Sequence, residues 1–496
     1  MKMHRIAALL LALVMTGSTM LSCGGNEPDE TDAGTDTAAA AENEPAETDP
    51  RRDAKDGLPE GLQYNGRSFN IYCGIIKEND LYFEGIGETN GEIVNDAVYA
   101  RNMAVEDRLD IDMTSWGYDD AYNTIAGSVT TLVLAGDSSY DLFLGQQAGV
   151  TQLITENCFV NAHDIENIDF SQPWWNNNYM SELELGENYR YLLAGDYFIS
   201  ALTKERVIFF NKDVYTEFYG DPNELYEEVL AGNWTLDRKK ELIEGAFVDM
   251  NNDGITDKGD RLGFAAHLAM ASVDGYVYGA EIPFYTRDED GFVQLSMISD
   301  KAVSLAEKLN EMFYTQGSCI KTDGENVAIF KEGRSLFLGN GMFNLITDLR
   351  DMEQDYGFLP HPKYDESQAE YRTLVHDTAL LGGISVASRN LDMMGAVLEV
   401  LGVETYRTVT PAWYETALKV KYTRDDISAQ IIDLINETAT TNFIYAYNFA
   451  INGLGNVYRE LVTAGSSDYV STVEKKLSAG ETKLNAIIEA FRSKQD

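Results

Sequence analysis

"SFNIYCG" (Ser68–Gly74), "GEIVNDAVYARNMAVEDRL" (Gly91–Leu109) and "DIDMTSW" (Asp110–Trp116) decide the fold. The outer two segments are rich in β-branched and aromatic residues and end in polar or glycine punctuation, so they read as strands. The middle one sets Val94, Val98, Val105 and Leu109 on one helical face. Strand, helix and strand in that order, with a further strand in "YDLFLG" (Tyr140–Gly145), specify a βαβ unit and an α/β class.

The same alternation continues along the chain. "YRYLLAGDYF" (189–198) and "RVIFFNKDVY" (206–215) lead into a second region, and "RSLFLGNG" (334–341) and "LLGGISVAS" (380–388) read as later strands. The end of the chain is helical, with Val470, Val473, Leu477, Leu484, Ile487 and Phe491 at a three-four spacing suited to packing on a lobe. No internal repeat is visible.

The amino terminus is a targeting segment. Lys2 and Arg5 precede an apolar run from Ile6 to Met15 that is too short to span a bilayer, which reads as a secretory signal over 1–22. Met20-Leu21-Ser22-Cys23 resembles the bacterial lipobox, in which the cysteine takes lipid. Cys23 is therefore the expected lipidation site, an ordinary signal with a chance cysteine being the alternative. Residues 23–60 hold many acids and almost no large apolar side chain, so they are expected to form a disordered linker. The folded body is expected to start near Leu62. About 435 residues follow, enough for two lobes.

Charge and cysteine usage exclude several classes. A formal charge of −43 opposes binding to nucleic acid or anionic lipid. After Cys23 only Cys73, Cys158 and Cys319 remain, without metal-ligand spacing, and they read as buried small hydrophobes, a single disulfide among them being the alternative. The enzyme signatures HExxH, GxSxG and GxxxxGK[ST] are absent from the sequence.

"DMNNDGITDKGD" (Asp249–Asp260) spaces oxygen donors as a calcium loop does. Asp249, Asn251 and Asp253 stand at alternate positions, Gly254 supplies the turn, Ile255 offers its carbonyl, and Asp257 and Asp260 complete the ring. The last ligand is the shorter Asp where Glu is usual. A solvated Asp/Asn/Gly turn is the alternative, and the six matching slots weigh against it. The expected cofactor is one structural calcium.

Taken in order, "RVIFFNKDVY", "NWTLDRKKELIEGA", the loop ending in "RLGF", "FKEGRSLFLGNGMFN", "YGFLPHPKYDESQAEYRT" and "LLGGISVAS" resemble the extracellular solute-binding proteins of ABC importers, of the maltodextrin-binding type. "NDAVYARN" and "QPWWNNNYM" resemble their Gram-positive branch. The resemblance implies a two-lobe, type II periplasmic-binding-protein-like α/β fold with a ligand cleft between the lobes. It implies a first lobe from 61–200 and 334–385, and a second from 205–333 and 390–496. It further implies a monomer on the outer face of the cytoplasmic membrane, held only by its lipid, that passes a neutral carbohydrate to permease subunits without catalysis. A surface glycan-binding adhesin or a glycosidase is the alternative.

A sugar presents apolar ring faces and a rim of hydroxyls, so its cleft needs flat aromatics beside amides and charges. The chain holds 28 Tyr, 21 Phe and 5 Trp, which suits such a cleft without diagnosing it. The resemblance points to Gln146 and Gln147 after "DLFLG", with a helix-start role as the alternative. Lys204 stands near a crossing between lobes, where an exposed surface lysine is the commoner reading, and the resemblance points to Asn340 and Phe343 after a strand end, a plain turn being the alternative. Tyr445 and Asn448 follow near the carboxyl end, where the resemblance places a late aromatic and polar contact; Trp413 and Tyr414 could line the cleft, although helical aromatics are more often core. Trp175 is a candidate stacking platform beside Trp174, although both suit interior packing. His376 and Asp377 are candidate partners for a hydroxyl.

Overall fold

Strand β1 (Arg67–Cys73) buries Phe69, Ile71, Tyr72 and Cys73, because both faces of its sheet are covered. It pairs in parallel with β2 (Ile111–Gly117) and with β3 (Leu142–Gln146), setting Phe69 opposite Met113 and Tyr72 opposite Phe143. The helix Ile93–Leu109 makes the crossover and buries Val94, Val98, Val105 and Leu109, as its periodicity requires. A fourth strand, β12 (Leu380–Ile384), returns from far along the chain to pair antiparallel with β3, which gives the order β12-β3-β1-β2.

The second sheet starts at β4 (Arg206–Asn211), buried at every position. With β5 (Leu262–Ala265), β8 (Ser318–Cys319), β9 (Ser335–Gly341) and β10 (Tyr356–Leu359) it runs in the order β10-β4-β9-β5-β8. Strands β5, β8 and β9 are parallel, whereas β4 is antiparallel to both neighbours. Two short ladders complete the strands: β6 (Tyr285–Arg287) with β7 (Val293–Leu295), and β11 (Thr373–Leu374) with β13 (Ala439–Thr440).

This computed structural model describes residues 50–81, 88–267, 271–322, 324–419 and 426–492, all within one compact unit, Pro50–Asp496. Cys23, the signal segment and most of the acidic linker lie outside the described residues. The end of that linker departs from expectation. Residues 50–60 are folded onto the body, because Arg108 binds Asp56 at 2.9 Å and Ala54 and Leu58 pack against the core. Cys73, Cys158 and Cys319 are buried, as expected, and among the described residues no helix is long and apolar enough to cross a membrane.

Two expected boundaries also change. Residues 334–385 do not return as a block to the first sheet: β9 and β10 join the second sheet, and only β12 joins the first. Nor do residues 390–496 cover the second sheet alone. The helices Leu391–Glu404 and Thr410–Lys419 pack on Ile93–Leu109 beside the first sheet, whereas Asp426–Glu437 and Val457–Ala464 pack around the second. Local pattern specifies a strand or helix, but tertiary pairing decides which sheet receives it.

Among the described residues, two antiparallel segments, 199–206 and 375–380, carry the chain from one sheet to the other. His376 N–H donates to Lys204 O at 3.0 Å, Leu380 N–H donates to Ser200 Oγ at 3.0 Å, and Glu205 bridges to Val375. The turn after β9 lies against the first of them, with Phe343 N–H on Thr203 O at 2.9 Å.

Candidate functional site

In open α/β sheets, ligands gather beyond the carboxyl ends of the parallel strands. Glu78 follows β1, Tyr122 follows β2, and Gln146 ends β3. From the second sheet Phe343 follows β9, and the crossing segment carries Lys204 between the two sets. Lys204 Nζ lies 3.0 Å from Glu78 Oε1 and 5.1 Å from the centre of the Phe343 ring. Ser200 Oγ donates to the other Glu78 oxygen at 3.0 Å. Far from being an exposed surface lysine, Lys204 is a mostly buried cation that ties one element of each lobe to the crossing.

Beside this floor stands a second polar group. Arg459 grips buried Asp274 with two nitrogens, Nε on Oδ1 at 2.6 Å, and its Nη2 lies 3.9 Å from Asp377 Oδ2. Tyr445 accepts the Asp377 backbone N–H at 3.1 Å, and its ring lies 5.0 Å from that of Tyr278. Burial raises the Asp377 carboxyl to about 6, against the pull of Arg459. Burial, with Arg206, Arg459 and Lys204 nearby, drives His376 well below the usual histidine range, so the imidazole is neutral at physiological pH. Its Nδ1 pairs with Thr378 Oγ1 at 2.8 Å.

Glu205 lies on the same crossing and is anomalous. It is 1% exposed, and neither carboxylate oxygen has a donor among the described residues. Burial, reinforced by the negative charge of Asp196, raises its pKa well above 4.5.

The expected site residues divide. Lys204, Phe343 and Tyr445 stand around the crossing, and Asn340 lies near it, its Oδ1 3.5 Å from Arg206 Nη1. Gln146 closes the first sheet and accepts the Tyr122 N–H at 3.1 Å. Tyr414 lies instead under Arg51 of the amino-terminal segment, 5.7 Å from its ring centre. Gln147 is buried and starts the helix Gln147–Val150, its side chain held by the Tyr179 hydroxyl. Trp175 is a core residue whose indole N–H donates to Glu399 at 2.9 Å, and Trp413 is fully buried. Asn448 is buried in a turn, its carbonyl accepting from Gly453 N–H at 2.8 Å. Trp175 and Trp413 are interior residues, as large aromatics commonly are, and Gln147 and Asn448 are buried as well.

The sequence reading missed the exposed aromatic pair at this end. Tyr122 and Phe449, 41% and 50% exposed, stack with ring centres 5.8 Å apart and planes 11° from parallel. The position of Tyr122 just past a strand end, and that of Phe449 next to Asn448, were the available signals. Glu78 carried none.

The loop Asp249–Asp260 is wound and closed at its base by paired bonds between Val248 and Arg261, 3.0 and 3.1 Å. Asp249 Oδ2 accepts Gly254 N–H at 2.9 Å, and buried Asp260 accepts the N–H groups of Met250 and Asp257. Gly254, at φ 75°, takes the left-handed turn that its place in the pattern requires. Among the described residues Asp249 Oδ1 is buried without a donor, an oxygen suited to a hard cation. Among the described residues, no group of three or more Asp, Glu, His or Cys side chains stands ready to hold a metal.

No protein-family model matches this sequence, and no curated protein matches it significantly. Solved structures do match the fold. The galacto-N-biose/lacto-N-biose I-binding protein of the ABC transporter from Bifidobacterium longum is similar at 10% identity and a TM-score of 0.57, covering 86% of this chain and 98% of that one. The cyclic α-maltosyl-1,6-maltose binding protein of Arthrobacter globiformis matches at 13% identity and 0.55, over 85% and 99%. The maltose-binding periplasmic protein MalE of Listeria monocytogenes matches at 12% and 0.54, over 85% and 99%. The fold is that of the two-lobed solute-binding proteins of the maltose-binding type.

Proposed function

We propose that this chain is the capture component of an ABC importer, taking a neutral oligosaccharide between its lobes and delivering it to permease subunits. The observation that carries the reading is the two-lobed fold, shared over nearly the whole of proteins named for the sugars they bind. The floor supports it, since Glu78, Lys204 and Asp377 offer acceptors and a cation to hydroxyls while Phe343 and the Tyr122–Phe449 pair offer ring faces. The proposed protein is a monomer without catalytic activity, tethered through lipid on Cys23 to the outer face of the cytoplasmic membrane. One calcium in the Asp249–Asp260 loop clips the helix Leu236–Gly245 to β5.

The test is a thermal-shift screen against mono- and oligosaccharides, followed by calorimetry and product analysis on the best ligand. A ligand that binds only the folded chain must raise its apparent stability. No stabilising sugar overturns the carbohydrate reading, and turnover of the ligand overturns the binding-protein reading. Replacement of Cys23 by Ser, followed by cell fractionation, tests the anchor: protein that stays with the membrane refutes it.

A further inference from the structure

The crossing strands are not the only place where the two sides of the molecule are joined. The β6–β7 hairpin grows from the second lobe: Ser296 N–H donates to Phe284 O at 2.7 Å, and the Phe284 ring lies 6.0 Å from both Tyr278 and Tyr458. Its tip reaches the segment 181–187, which belongs to the first lobe. There Tyr179 holds Gln147 beyond β3, and Leu193 bridges to β12.

The contact is specific. Arg287 donates Nη1 to Glu184 O at 2.7 Å and Nη2 to Ser181 O at 2.8 Å, while the same Nη1 donates to Gly291 O within its own hairpin at 2.9 Å. One guanidinium thus fixes the shape of the tip and binds it to the other lobe. Glu187 N–H donates to Asp290 O at 2.9 Å, and the Tyr285 hydroxyl donates to Glu182. The Phe292 ring lies so close over Gly186 that a Cβ there would meet it at 3.0 Å. Arg492, at the end of the last helix, lies over the Phe292 ring, 4.6 Å from its centre, and pairs with Asp288 at 3.4 Å.

Backbone carbonyls accept the arginine, so the join depends on the path of the chain at 181–187 and on no cleft residue. A crossing pair alone lets two lobes swing, whereas a second point of attachment away from that pair fixes the angle between them. We propose that the β6–β7 hairpin is a latch that sets the lobe angle without solute, and that the cleft widens only when Arg287 leaves Ser181 and Glu184. The inference rests on the two-lobed fold and not on the identity of the solute.

Arg287→Ala removes the guanidinium, and Gly186→Val attacks the same contact from the other lobe. Both are measured beside the wild type by small-angle X-ray scattering and amide hydrogen exchange without added sugar, with circular dichroism to establish folding. The expected result is a larger radius of gyration in both variants and at least tenfold faster exchange at Glu187, with the amides of β4 unchanged. A folded Arg287→Ala or Gly186→Val whose radius of gyration and Glu187 exchange equal those of the wild type overturns the proposal. Should one variant fail to fold, the other decides.

Discussion

Glu78 and Lys204 are bound to each other, Oε1 to Nζ at 3.0 Å, one from the turn after the first strand and the other from the crossing between lobes. Both side chains are mostly buried, and among the described residues Ser200 is the other partner of Glu78. Lys204→Met therefore leaves a buried carboxylate with one hydroxyl. The expected loss of stability is on the order of 1–3 kcal/mol, the cost of stranding a buried polar group. Urea unfolding checks it, and an unchanged midpoint contradicts it.

Arg459 does the same for Asp274, more completely, since the aspartate side chain is 1% exposed. Arg459→Met should cost on the order of 3–5 kcal/mol by leaving a buried charge unpaired. Adding Asp274→Asn should recover much of that loss. A double variant no more stable than the single one means that the pair is not the cause.

The pH dependence of Glu205 has a definite sign. Its folded pKa is raised by burial above the unfolded 4.5, so the folded protein holds the proton more tightly than the unfolded chain. Its contribution to stability is greatest below 4.5 and is lost as pH rises through the folded value. Glu205→Gln cannot ionise, so its advantage over the wild type should be absent near pH 4 and should grow toward pH 8. Melting curves for the two proteins that stay parallel across this range refute the assignment.

Tyr122→Ala and Phe449→Ala should weaken binding of the best sugar from the screen by roughly two- to tenfold each, in line with the 0.5–1.5 kcal/mol that an aromatic pairing adds beyond buried area. Both rings are exposed, so stability should barely change. Trp175→Ala and Trp413→Ala should do the reverse, costing about 3–5 kcal/mol of folding energy through the cavities they leave. Calorimetry on the folded variants separates the two classes: unchanged affinity in both Tyr122→Ala and Phe449→Ala removes the platform.

That contrast shows how far the sequence could be read. The apolar strand "RVIFF" and the valines of Ile93–Leu109 announce their own structure, because burial on a sheet or a helix face leaves a periodic trace. The partner of Glu78 leaves no such trace, being set by a contact far along the chain. Trp175 and Phe449 are likewise only aromatics in sequence, and what separates them is whether Glu399 or solvent meets the ring. The assignment of β9 to the wrong lobe has the same origin, since its local pattern suits either sheet.

Chelation of the proposed calcium should lower the melting temperature and leave sugar preference intact, because the loop joins the helix Leu236–Gly245 to β5 and contributes none of the candidate ligand contacts. Asp253→Asn should weaken the response to chelator. Identical melting with and without chelator, in protein purified with calcium, refutes the metal.

The late arrival of β12 bears on how the molecule is made. A chain growing from its amino terminus completes β1, β2 and β3 by residue 146, yet their sheet gains its fourth strand only when Leu380–Ile384 has been synthesised. Until then the edge of Leu142–Gln146, buried at every position but Gln146 in the finished molecule, is open to pairing with any neighbouring chain. Products that end prematurely before Leu380 should therefore aggregate rather than yield a half-sized, soluble first lobe.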